Sequence, residues 1–334
     1  MITRRLLLAS AAALAFAAPA WAEDKLRVIA TFSILGDIVA NVGGDRVEVT
    51  TLVGPDGDAH VFQPAPADAQ AVAGAQVIVA NGLGFEGWMD RLIEASGTTA
   101  VLINVSEGVS PIAFGEEEHA EEGGHEGHDH GDHAEGAGHD GHDHADHGDE
   151  AGHEGHDHGA FDPHAWQSPV NVALYVGNIA QGLTSVDPEG AAVYQANAAS
   201  YIAELDALDA EIRTAVAALP EDRRTVVTSH DAFGYLAAGY GLTFVAPQGV
   251  STEAEASAQD VAALITQIRE QSIAAVFVEN IADRRLLEQI ATETGAAIGG
   301  TLYSDALSGP EGPAATYLAM MRHNLSQLTA ALTN

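Results

Sequence analysis

The chain has 334 residues, with 48 acidic against 13 basic side chains, a formal net charge of −35 and no cysteine. That balance excludes nucleic acid as a partner, because a polyanion is gripped through lysine and arginine. The missing thiols exclude disulfides and thiolate ligands, so a metal would have to be held by His, Asp, Glu or backbone oxygens.

Taken in chain order, the first segment is "MITRRLLLASAAALAFAAPAWA". Arg4 and Arg5 give it a positive start, Leu6 to Ala18 an apolar stretch, and Ala20-Trp21-Ala22 a small-x-small cleavage signal. This reads as a signal peptide over 1–22, cut before Glu23. The apolar run is shorter than the ~20 residues of a membrane-spanning helix. The paired arginines suit either the general or the twin-arginine export route. With no cysteine to carry a lipid, the expectation is a free periplasmic protein.

Short β-branched runs then alternate with helical patterns. In the first half they are "LRVIA" (26–30), "VEVTTLV" (47–53), "QVIVA" (76–80) and "AVLIN" (100–104). In the second half come "RTVVTS" (224–229), "LTFVA" (242–246), "IAAVFVE" (273–279) and "AIGGTLY" (297–303). Four strands per half, with helices between, predict an α/β protein of two lobes, each with a four-stranded parallel sheet. The lobes would occupy 23–186 and 221–334.

Between them, "DPEGAAVYQANAASYIAELDALDAEIRTAVAALP" (187–220) predicts one spine helix of about eight turns. Asp187 would cap it, Pro188 suits its first turn and Pro220 ends it. Tyr194, Tyr201, Leu205, Leu208, Ile212, Val216 and Leu219 supply its apolar stripe.

An acidic, histidine-rich insert over 116–159 interrupts the first lobe. "HEGHDHG" begins at 125, "HDGHDHA" at 139 and "HEGHDHG" again at 153. Each repeat offers imidazoles that could clasp a metal: His125, His128 and His130, then His139, His142 and His144, then His153, His156 and His158. With many glycines, like charges and no apolar periodicity, the segment cannot bury a core and is expected to be disordered without metal. Its sites would be weak and interchangeable, either an accessory collector or a dispensable insert that binds metal incidentally.

Of sixteen histidines, four lie outside that segment: His60, His164, His230 and His323. His323 falls off the apolar stripe of the last helix (Leu318, Met321, Leu325, Leu328, Leu332) and is expected at the surface. His60 and His230 each follow a predicted strand, at the carboxyl ends where parallel sheets place ligands. His164 lies in "FDPHAWQSP", and Asp305 in "GTLYSDAL" after the last strand. Two such residues from each lobe would form a site in the cleft, and three imidazoles with one carboxylate suit a closed tetrahedral zinc site.

Nearby groups leave alternatives open. Glu86, in "GFEGWMD", would either approach the metal or answer a helix dipole. Asp162 would either orient a ligand imidazole or cap the Asp-Pro turn. Trp88 and Trp166 would either shield the cleft or simply pack.

"GPDGDAHVFQPAPAD", "GLGFEGWMD", "FDPHAWQSP", the long "DP…Y…N…Y…L" helix and "SHDAFGYLAAGYGL" together resemble the metal-specific solute-binding proteins of bacterial ABC uptake systems. The resemblance is to the zinc-binding branch with a histidine-rich insert, and it runs from about Leu26 to Leu332. It implies His60, His164, His230 and Asp305 as ligands of a transported Zn²⁺ and an inner-membrane ABC permease as partner; the histidine-rich insert would pass zinc to that site or receive it from a periplasmic chaperone. The manganese branch is known for a glutamate where this chain has His230, and a third imidazole suits zinc better than manganese. The expected function is therefore that of a monomeric, non-enzymatic periplasmic zinc receptor. Rival readings are a manganese or other divalent-metal receptor, a zinc hydrolase, and a metal buffer in which the repeat does everything. No Ser-His-Asp set, "HExxH" or nucleophile elbow favours hydrolysis.

Overall fold

The computed structural model describes residues 25–113, 161–273 and 275–333. The predicted signal segment and the whole of the histidine-rich insert over 116–159, with its nine accessory histidines, lie outside them.

All eight expected strands form. The first sheet holds β1 (Leu26–Phe32), β2 (Val47–Val53), β3 (Val77–Ala80) and β4 (Val101–Asn104) in the order β2-β1-β3-β4. The second holds β5 (Thr225–Val227), β6 (Thr243–Val245), β7 (Ala275–Glu279) and β8 (Ala297–Leu302) in the matching order β6-β5-β7-β8. Every pairing is parallel. Helices cover both sheets, which is why β3 and β7 are continuous apolar runs instead of alternating ones. The strands of the second lobe are shorter than their apolar runs suggest. In particular, β5 ends at Val227 although the Thr228 amide still reaches the Val245 carbonyl, and the amides of Ser229 and His230 are satisfied by the Glu279 carboxylate.

The connecting helices are α1 (Ser33–Gly43), α2 (Pro66–Gly74), α3 (Met89–Ser96), α4 (Pro169–Val186), α6 (Gly234–Tyr240), α7 (Ala258–Gln271), α8 (Arg284–Thr294) and α9 (Tyr317–Thr333). Between the halves runs α5 (Ala191–Ala217), 27 residues long and so about 40 Å from end to end. Its start is more tightly wound than a single predicted helix. Asp187 accepts from the Gly190 amide across a 3-10 turn over 188–190, and the α-helix follows. The Asp187 carboxylate also takes two bonds from Arg46 and one from the Tyr194 hydroxyl. These partners hold its pKa down at about 2.

Tyr194, Tyr201, Leu205, Leu208, Ile212 and Val216 are all buried, and the helix packs on α1 and α4 from the first half and α6 and α9 from the second. One apolar core therefore extends from the first sheet through α5 to Tyr317, Met320 and Leu328 of α9. A smaller one, around Val276, Leu264, Ile268, Leu287 and Ile290, lies on the second sheet. His323 departs from its expected place at the surface. It is half-buried, its Nε2 donates to the Thr301 carbonyl at 3.0 Å, and its ring meets Tyr303 edge-on. It leans on β8 while remaining partly open to solvent. Among the described residues, no helix is long and apolar enough to cross a membrane.

Candidate metal centre

Both sheets point the carboxyl ends of their strands at one place, and the loops leaving those ends meet there. His60 ends the turn after β2. The Gly57 amide closes that turn on the Gly54 carbonyl, and Asp58 Oδ1 accepts the His60 amide at 2.9 Å. Trp88 Nε1 donates to the Ala59 carbonyl at 2.8 Å, pinning the peptide just before His60. Trp166 Nε1 does the same for the Ser304 carbonyl, just before Asp305. The two tryptophans are thus both buried packing and fasteners for the loops that carry site residues.

In "FDPH", Asp162 performs both of the roles left open for it. Its Oδ1 accepts the His164 amide at 2.9 Å, which caps the turn, and lies 2.7 Å from His164 Nδ1. The Nδ1–H is therefore committed to the carboxylate, and Nε2 faces the centre with its lone pair.

Glu279 gives His230 the same support, although the sequence reading missed it. It is the last residue of β7, beside β5 at the switch point of the second sheet. Its Oε1 accepts the amides of Ser229 and His230 at 2.7 and 2.9 Å. Its Oε2 lies 2.6 Å from His230 Nδ1, at an angle outside good hydrogen-bond geometry. The available signal was a single acid closing the apolar run "IAAVFVE": a charge with no partner in its own strand must find one at the strand's end.

Four side chains converge. His60 Nε2 lies 3.3 Å from His164 Nε2 and 3.2 Å from Asp305 Oδ2. His230 Nε2 is 3.1 Å from Asp305 Oδ2, and His164 Nε2 is 3.6 Å from Asp305 Oδ1. All four ligand atoms fall within 4.8 Å of one another, a group able to hold a metal ion. A tetrahedron with bonds of 2.0–2.1 Å has edges of about 3.3 Å, close to these separations. His60 is 7 % exposed and the other three 0 %.

The electrostatics are those of a site built for a cation. Burial by itself would lower His230, but the carboxylates of Glu279 and Asp305 outweigh it and hold the imidazole well above its ordinary value. Burial would raise Asp305, and the facing imidazoles of His230 and His164 pull it well below instead.

Glu86 is not brought into this group. Its Oε1 accepts from the Thr31 hydroxyl and the Asn81 amide and its Oε2 from the Gly82 amide, so it stitches the ends of β1 and β3 together. Three donors hold its carboxylate in this place, and the N-cap of α3 is Trp88.

The family model for the periplasmic component A of the zinc-uptake complex, ZnuA, matches residues 28–331. The iron-binding protein YfeA of Yersinia pestis is 32% identical over 314 residues, covering 94% of this chain and 88% of that protein. The manganese-binding lipoprotein MntA of Halalkalibacterium halodurans is 30% identical over 310 residues, covering 93% and 89%. Among solved structures, the periplasmic zinc binding protein TroA from Treponema pallidum superposes with a TM-score of 0.77 at 27% identity, covering 93% of this chain and all of that one. A mutant, manganese-bound periplasmic metal binding protein from Candidatus Liberibacter asiaticus gives 0.75 at 30% identity, covering 92% and 100%.

Proposed function

The chain belongs to the ZnuA family, whose members are metal-binding substrate receptors of ABC uptake transporters and not enzymes, and on that premise we propose that its cargo is Zn²⁺. The receptor captures the ion between its lobes through His60, His164, His230 and Asp305 and delivers it to a membrane permease. One observation carries the reading: three imidazole nitrogens and one carboxylate converge at tetrahedral spacing, with two of the imidazoles backed by buried carboxylates. Nitrogen-rich sets favour zinc over manganese, which prefers carboxylate, carbonyl and water. Asp305 takes the corner that a catalytic zinc keeps for water.

The donor set therefore fits storage and hand-over of the ion, not hydrolysis. The protein acts as a monomer in the periplasm, and the insert over 116–159 collects zinc at lower affinity, directly or from a chaperone.

Calorimetric titration of the intact chain tests this. One tight zinc that manganese does not displace at a hundredfold excess is the expected result. Equal affinity for the two metals would transfer the cargo to manganese or iron, the ions for which MntA and YfeA are named.

A further inference from the structure

The four ligand side chains are sealed in, so an ion must have a way through. Aromatic rings close one flank. Phe85 meets His60 edge-on at 4.8 Å, Trp166 lies 4.8 Å from Phe85 and 5.2 Å from His164, and Phe32 packs 4.9 Å from both Phe85 and Trp166. A hydrated cation gains nothing along such a wall.

The other flank holds a cavity of about 580 Å³ whose lining includes Asp58, Ser229, Gln248, Thr252, Glu255 and Asp283. Asp58 lies two residues before His60, and Ser229 immediately before His230, so the cavity is lined by a close chain neighbour of a ligand from each lobe. Three of its lining residues are carboxylates, and of these only Asp283 is paired with the single lining cation, Arg285. The Ser229 hydroxyl is buried there without a hydrogen-bond partner.

A polar crossing separates this cavity from the centre. Thr252, on the loop after β6, donates its hydroxyl to Asp58 Oδ2 at 2.7 Å, while Asp58 Oδ1 holds the His60 amide. The same loop is fastened beside His230, where Gln248 bridges to His230 and the Asp231 amide donates to the Gly249 carbonyl at 3.1 Å. Two other links join the His60 loop to the second lobe, Asp56 amide to Leu307 carbonyl and Asn280 to Asp56. They hold the base of that loop. Asp58 is the residue that touches both the His60 amide and the cavity.

We propose that this acidic cavity is the passage by which a hydrated divalent cation reaches and leaves the centre, and that the Thr252–Asp58 hydrogen bond is its latch. The proposal rests on the capture of a metal by His60, His164, His230 and Asp305. A cation arriving in the passage meets carboxylates that replace part of its hydration shell. Opening the latch lets the His60 loop swing outward while His164, His230 and Asp305 keep their supports.

The test is stopped-flow release of zinc from the loaded full-length chain into a chromogenic chelator, with the slow phase reporting the sealed centre. Thr252→Val removes the hydroxyl at nearly constant volume. It should speed release about ten- to a hundredfold, the usual weight of a hydrogen bond to a charged group, and speed uptake in similar measure, because the latch touches no ligand atom. Thr252→Ser keeps the hydroxyl and should restore the wild-type rate. Glu255→Lys, at a residue outside the four-residue centre, should slow uptake severalfold at low ionic strength and not at high. A wild-type release rate in Thr252→Val overturns the latch, as does faster release with unchanged uptake. Uptake by Glu255→Lys at the wild-type rate in low salt overturns the passage. A wild-type chain with no slow phase at all would instead remove the metal centre on which both depend.

Discussion

Replacing Glu279 by glutamine tests the centre at its least expected member. The substitution keeps the shape and removes the charge. The Ser229 and His230 amides donate to Oε1, so the oxygen of the new amide must stay there, which places its NH₂ where Oε2 now faces His230 Nδ1 at 2.6 Å. Two N–H donors cannot face each other. His230 must give up the proton on Nδ1, and the neutral ring then carries its proton on Nε2, the atom aimed at the metal. Binding has to reverse that tautomer against an unfavourable contact. Loss of such outer support costs about 10–100-fold in metal affinity, or about 1.4–2.7 kcal/mol.

The proton balance changes too. In the native metal-free protein His230 is held well above its ordinary pKa by Glu279 and Asp305, so it is charged near neutrality and zinc must expel that proton. The glutamine variant should release about one proton fewer per zinc. Isothermal calorimetry near pH 7, in two buffers of different ionisation enthalpy, reads both quantities at once. Native affinity together with a native proton count would refute the argument, because neither can survive if Glu279 governs the His230 ring.

The remaining predictions use simpler perturbations. His60→Ala should abolish tight zinc binding, removing one of four donors, and the loss is visible in the same titration. Asp305→Ala should leave a three-histidine site whose fourth corner is open to water; a water ligand found by X-ray absorption beside weakened affinity is the expected outcome, and an unchanged affinity would contradict ligation by Asp305. The metal-free protein should also lose stability as pH rises through the elevated pKa of His230, since a group whose folded pKa is raised contributes fully only below its unfolded value near 6.5; melting temperatures across mildly alkaline pH check the sign. Asp187→Ala removes the cap of the 3-10 turn and the partner of Arg46 and Tyr194, and should cost about 1–2 kcal/mol in urea unfolding. That difference should be full above pH 3.8 and shrink as pH falls toward about 2. Deleting 116–159 should leave one tight zinc site, and a chain left without it would relocate the primary site to the insert.

The sequence by itself determined the parts of this protein that depend on local pattern. Apolar runs such as "VIVA" and "AVFVE" can only be strands covered on both faces, and the stripe from Tyr194 to Val216 can only be one buried helix edge. His60, His230 and Asp305 were legible because each follows such a run, and parallel sheets collect their functional groups at that end. Asp162 was legible because it stands two residues from His164, within reach of both the amide and the ring.

Pairings between residues distant in the chain had no such signal. Glu279 meets His230 across 49 positions, and Thr252 meets Asp58 across 194. Glu86 looked equally able to reach a metal until three donors were found on it, and His323 looked exposed until β8 was seen beside it. Periodicity tells a side chain which face to take, because that is a property of one segment. Which opposing group satisfies a buried charge is decided only when two segments are packed together, since desolvation makes the cost of an unpaired carboxylate a property of the assembled fold.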